Sequence, residues 1–212
     1  VSKSLIIFAF PLMLSNLLQT IYNMVDMIIV GQFVGKVGLS AVSIGGNLVN
    51  LLTFIAMGFS NAGQVLISQY LGAGNKKAVN RTIGTIFTFI LSCAIVASII
   101  CCIFAGQLLT YMNTPPEAYK FGLDYSITCY LGLFFIYGYN LVSAILRGMG
   151  DSKHPFMFIA TAAVTNLVLD LLFIAVFKWE VFGAAFATVI SQGVSFIWAV
   201  IFLYKHREEL GF

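Results

Sequence analysis

Between residues 5 and 204 the chain passes repeatedly through more than about 20 residues with almost no charge, each run closed by Gly, Pro or a cluster of charged side chains. A run of that length crosses a hydrocarbon core of about 30 Å as a helix, because a helix satisfies every backbone N–H and C=O internally where water is absent. Spans are predicted at about 5–33, 40–70, 80–106, 121–146, 155–177 and 182–204. The expected fold is all-α, a polytopic membrane protein built as a bundle of six transmembrane helices over 1–204. Composition agrees, with 60% hydrophobic and 9% charged residues, where an ordinary soluble domain has roughly 45–50% and 25%.

The first span begins almost at residue 1, which raises a cleaved signal peptide as an alternative. The span is too long for one, contains Asp26 and lacks a small-residue cleavage site after a short apolar core, so it reads as a retained helix. Position 1 is Val, and the start of the gene product is expected upstream.

The eleven Lys and Arg residues, with a net charge of +3, are strung singly along the turns and form no stripe that tracks phosphates, which excludes nucleic acid as a partner. Eight of them (Lys3, Lys76, Lys77, Arg81, Arg147, Lys153, Lys205 and Arg207) fall on one side of the membrane and three (Lys36, Lys120 and Lys178) on the other. The positive-inside rule therefore puts both ends of the chain in the cytoplasm, with the bundle in the cell's inner membrane. Two of the inner turns look alike: Gly72-Ala73-Gly74-Asn75-Lys76-Lys77 and Gly148-Met149-Gly150-Asp151-Ser152-Lys153 share their glycines, turn former and Lys at one spacing. Cys93, Cys101, Cys102 and Cys129 lie in apolar runs and read as small core residues.

Against this background the polar residues are conspicuous. Asn16, Gln19, Asn23 and Asp26 stack along one face of the first helix, as do Thr161, Thr165 or Asn166, and Asp170 on the fifth, and Thr188, Ser191 or Gln192, and Ser195 on the sixth. The second helix adds Asn47, Asn50, Asn61, Gln64 and Ser68, and the fourth Asn140 with Ser143. At a rise of about 1.5 Å per residue, Asp26, Asp170 and Thr188 stand about 27, 22 and 20 Å from the inner surface, in one slab of the outer half. Burying a charged Asp in mid-membrane costs roughly 2.5–3.5 kcal/mol, and such residues face water or one another. No Lys or Arg lies in the interior of the spans to neutralise them. The plain reading is a pair of protonated acids gluing helices together; the functional one is an oxygen-lined site for a hard monovalent cation, Na⁺, H⁺ or both. No other metal or cofactor is expected.

Enzyme readings are weak. Gly148-Met149-Gly150-Asp151 fits the G-x-G-D pattern of intramembrane aspartyl proteases, but it sits in a cytoplasmic turn and has no Tyr-Asp partner. G-x-x-x-x-G-K-[ST] is absent, so ATP is not expected to supply energy, and His154 and His206 read as solvated turn residues.

"FAFPLMLSNLLQTIYNMVDMIIVGQFVG" resembles the first helix of multidrug and toxic compound extrusion (MATE) transporters, with its Pro, Gln and Asp. "QYLGAGN", "AILRGMGDSKHPF", "TNLVLDLLFI" and "GAAFATVISQ" resemble that family's turns after helices 2 and 4 and its helices 5 and 6. The resemblance implies a secondary antiporter that exports organic, mostly cationic, compounds against Na⁺ or H⁺. It implies a cation site at Asp26, Asn166, Asp170 and Thr188, and a substrate cavity at Gln19 and Asn140, with which Asn23 and Tyr139 are grouped. Phe135 and Met27 are further expected contacts. Family members carry two six-helix lobes, so this chain reads as an N-lobe, with 205–212 the start of a cytoplasmic linker. The second lobe is expected either from the rest of the polypeptide or from a second copy. A lipid-linked oligosaccharide flippase of the same superfamily and a structural membrane subunit are the alternatives, the first disfavoured because a pyrophosphate needs cations in the cavity.

Overall fold

The structure is a computed structural model that describes residues 2–206. Among these the chain forms α1 (Ser2–Phe33), α2 (Lys36–Gly72), α3 (Lys76–Tyr111), α4 (Pro116–Leu131), α5 (Leu133–Gly148), α6 (Lys153–Asp170), a π-helical turn (Leu171–Val176) and α7 (Glu180–Lys205). No strand occurs among the described residues. Most of the expected linker, from residue 207 on, lies outside them.

Five helices are long and apolar enough to cross a membrane alone, and α4 with α5 makes a sixth, bent by 50°. The sequence pattern predicts one continuous helix there. The bend falls at Gly132, where a Cβ would lie 2.4 Å from a Val189 methyl, so α7 presses against the bare backbone. The fifth span is also less regular than expected, because the α-helical pattern gives way to π immediately after Asp170: Phe177 N–H donates to Leu172 O at 2.9 Å.

The two similar inner turns fold alike. Gly74 (φ 70°) and Gly150 (φ 89°) both take the left-handed conformation that ends a helix cheaply only at glycine. The next residue then reaches back five positions, Asn75 N–H to Tyr70 O and Asp151 N–H to Leu146 O, both at 2.9 Å. Its side chain caps the following helix: Asn75 Oδ1 accepts from Ala78 N–H at 3.0 Å, and Asp151 Oδ1 from Lys153 and His154 N–H at 3.0 and 3.1 Å.

Helix α5 is the centre of the bundle. It packs against α2, α3 and α7, and most of its residues are buried. Helix α1, by contrast, rests mainly on α6 and leaves Ile6, Phe10, Met13 and Leu17 on the outside. In a soluble protein such a surface would aggregate; it suits lipid rather than water. At the junction of the π-helical turn and α7, Phe173, Trp179, Phe182 and Phe186 form an aromatic cluster, with Phe173 and Trp179 stacked at 5.0 Å, which suits the headgroup level of a bilayer.

Candidate functional site

Asp26 and Asp170 come from different helices and meet. The packing of α1 on α6 turns the polar stripe of each helix toward the other. The two carboxyl groups lie within hydrogen-bonding reach of one another. Asp170 is fully buried and Asp26 is 9% exposed. Beyond that approach to one another, Asp26 Oδ1 and both Asp170 oxygens have no hydrogen-bond partner, and the one ion pair among the described residues, His154 with Asp151, belongs to the turn at the other end of α6. Among the described residues the acids form no ion pair.

Beside them stand Asn166, one helical turn before Asp170 on α6, and Thr188 of α7. Gly183 brings α7 against the π-helical turn that follows α6, where a Cβ would lie 3.3 Å from the Phe173 backbone. The small residues Ala184 and Ala187 that follow on α7 are fully buried. Asn166 Nδ2 consequently donates to Thr188 Oγ1 at 3.4 Å, and Thr188 Oγ1 donates to Ala184 O at 3.0 Å. All four residues expected to bind a cation are thus brought to one place, and they are oxygen-bearing. The π turn that follows Asp170 breaks the regular ladder beside the acid pair, and such turns recur at functional sites.

In front of the acids opens a cavity of about 320 Å³. Gln19, Asn23, Tyr139 and Asn140, the four residues grouped as a substrate cavity, all line it, together with Asp26, Thr188 and Met27. Asn166 and Asp170 do not reach its wall. Asn140 donates Nδ2 to Ile136 O of its own helix at 2.8 Å, which leaves its carbonyl oxygen to the cavity. Asn47 and Asn50 of α2 and Gln192 of α7 add further amides, and no Lys or Arg lines the wall. Phe135 does not line the cavity: its half-buried ring lies against Gly193 and pairs with Phe134 and Phe196 at the edge of the core. It sits roughly four helical positions before Tyr139 but is claimed by α7.

Tyr22 was not among the residues expected at the site. It precedes Asp26 by one helical turn, lines the cavity, and lies among Asp26, Asp170 and Tyr139. The spacing i, i+4 to Asp26 was its signal, masked by the abundance of aromatics in the chain.

The chain matches the family model MatE over residues 11–172. It is 32% identical over 207 residues to the probable multidrug resistance protein YpnP of Bacillus subtilis, covering 98% of this chain and 46% of that protein. An outward-facing multidrug resistance MATE family transporter of the MOP superfamily superposes with a TM-score of 0.89 at 26% identity, over 97% of this chain and 45% of the other. An inward-facing one superposes with 0.83 at 26% identity, over 87% and 42%. The chain spans about half the length of the curated relatives it matches.

Proposed function

The chain belongs to the MatE family, and on that premise we propose that it is the cation-coupled lobe of a multidrug efflux antiporter. The family is one of membrane transporters, not enzymes. The observation that carries the finer reading is the acid pair: two buried carboxyls from separate helices, three of their oxygens unpartnered, no protein cation near, and a polar cavity directly in front.

Such a pair attracts one of two things, a coupling cation or a cationic substrate, and it cannot satisfy both at full strength. Na⁺ or H⁺ arriving from outside neutralises Asp26 and Asp170, with Asn166 and Thr188 completing the oxygen set. The cavity then loses its negative potential, and an organic cation leaves. Because α1 is held mainly by α6, it is the element freest to repack, bending near Pro11 within its first turns. Coupling of this kind is a difference in affinity between two states and runs in both directions.

One lobe supplies one wall. Asn16, Gln19, Asn23, Asn47 and Asn50 are exposed on helices long enough to span the bilayer, and amides at that depth do not face lipid. They support a second six-helix lobe, from the same polypeptide or a second copy, closing a water-filled cleft. The absence of Lys and Arg from the lining favours organic cations over the anionic headgroup of an oligosaccharide carrier. The charge asymmetry of the turns supports an inner-membrane location with both ends of the chain in the cytoplasm.

Full-length protein in proteoliposomes, given a Na⁺ gradient or a pH gradient separately, tests the reading. Ethidium movement against its own gradient is expected under at least one of them. Movement under neither, with ATP-dependent movement instead, contradicts antiport.

A further inference from the structure

A second cavity lies at the opposite end of α2 from the acid pair. It has a volume of about 470 Å³ and lies between α2 and α3 beside the turn that joins them. At Gly63 the two helices touch, the missing Cβ giving its place to Ile86, whose Cδ1 would lie 2.2 Å from it. Between that contact and the Gly74 turn, the side chains of the two helices leave a notch.

The lining of the notch is graded. At its inner rim are Lys77 and Arg81, one helical turn apart on the same face of α3, both exposed and without a carboxylate partner among the described residues. Tyr70, Asn75 and Thr85 stand beside them. Toward mid-membrane the wall becomes apolar: Leu66 is exposed and Ile86 half-buried, and beyond them Phe59 of α2 and Phe89 of α3 form an exposed edge-on pair with centroids 5.4 Å apart.

We propose that this notch binds an anionic phospholipid of the cytoplasmic leaflet. The phosphate sits between Lys77 and Arg81, the headgroup hydroxyls meet Tyr70 and Asn75, and an acyl chain runs along Leu66 and Ile86 toward Phe59 and Phe89. The cations are fixed on a helix face where the anionic leaflet lies, and the apolar groove starts directly beneath them. A basic pocket between membrane helices on the cytoplasmic side has the chemistry such headgroups select. A soluble anion would use the rim alone and leave the groove without a role. The ligand touches neither the cavity nor the acid pair, so this site stands apart from the transport reading.

The test is lipid binding to purified full-length protein, read by native mass spectrometry and by thermal melting with added lipid. Phosphatidylglycerol and cardiolipin are expected to bind and to raise the melting temperature, phosphatidylcholine not. At about fivefold per basic residue near a headgroup, the double variant Lys77→Gln/Arg81→Gln is expected to lose about 30-fold in affinity. Lys153→Gln, a cation of the other inner turn, is expected to lose little. Melting without added lipid is the control for folding of each variant. Equal binding of phosphatidylcholine, an unchanged affinity in the double variant, or equal protection by inorganic phosphate would each overturn the proposal.

Discussion

Asp170→Asn is expected to reduce ethidium efflux from cells by about 100-fold, at unchanged protein level. Asn keeps the size and polarity of the side chain, so α6 and the Asn166–Thr188 hydrogen bond that ties it to α7 persist. What disappears is the charge that the proposed antiport assigns to both cation and substrate. Coupling free energies between two ligands amount to about 1–3 kcal/mol, a factor of roughly 5–150, and Asp170 is fully buried with both oxygens unpartnered, which puts it at the upper end. Asp26→Asn is expected to act in the same direction. Because the two carboxyls adjoin, the double variant should be little worse than either single one, the mark of residues acting as a unit. Efflux at the normal rate in cells carrying Asp170→Asn would remove this residue from the mechanism.

Gly148→Leu is expected to prevent folded protein from accumulating. At the inner end of α5 a Cβ on Gly148 would stand 2.7 Å from Gln64 O and 3.2 Å from Gln64 Cα. These are backbone atoms of α2 and have no rotamer to change. The same crossing is pinned by Arg147, whose Nε donates to Gln64 Oε1 at 3.1 Å, so the helices cannot slide apart without losing that bond. Even Gly148→Ala should cost about 1–3 kcal/mol by overpacking, lowering the melting temperature by roughly 2–4 °C per kcal/mol in a chain of this size. Gly58→Ala on α2 is the matched control. Its Cβ would meet nothing within 4 Å, and in a helix Ala is preferred over Gly by roughly 0.5–1 kcal/mol. A melting temperature for Gly148→Ala equal to that of Gly58→Ala would contradict the packing described.

Much of the site is legible in the sequence because lipid makes polarity expensive. Asn16, Gln19, Asn23 and Asp26 repeat with helical spacing in a run that otherwise has none, so their shared face follows from counting. Bilayer thickness then brings Asp26, Asp170 and Thr188 to one level. That they touch is not contained in the count, since level fixes height and leaves rotation about the helix axis open; α1 packing on α6 settles it. Tyr22 has no such contrast, being one aromatic among many. The bend at Gly132 is illegible for a related reason: glycines are common in membrane helices, and only the approach of Val189 from a distant helix makes this one a break. The π turn after Asp170 runs through Leu171–Val176, residues any helix would accept, and nothing in their identity announces it.

The central claim, that one pair of acids serves cation and substrate in turn, is tested most directly by binding without transport. Ethidium affinity for the purified full-length protein can be measured by fluorescence while Na⁺ and pH are varied one at a time. Raising the coupling cation is expected to weaken ethidium binding about tenfold or more, and this dependence is expected to vanish in Asp26→Asn and Asp170→Asn. An ethidium affinity indifferent to both cations in the native protein, or the same dependence surviving in both variants, would contradict it.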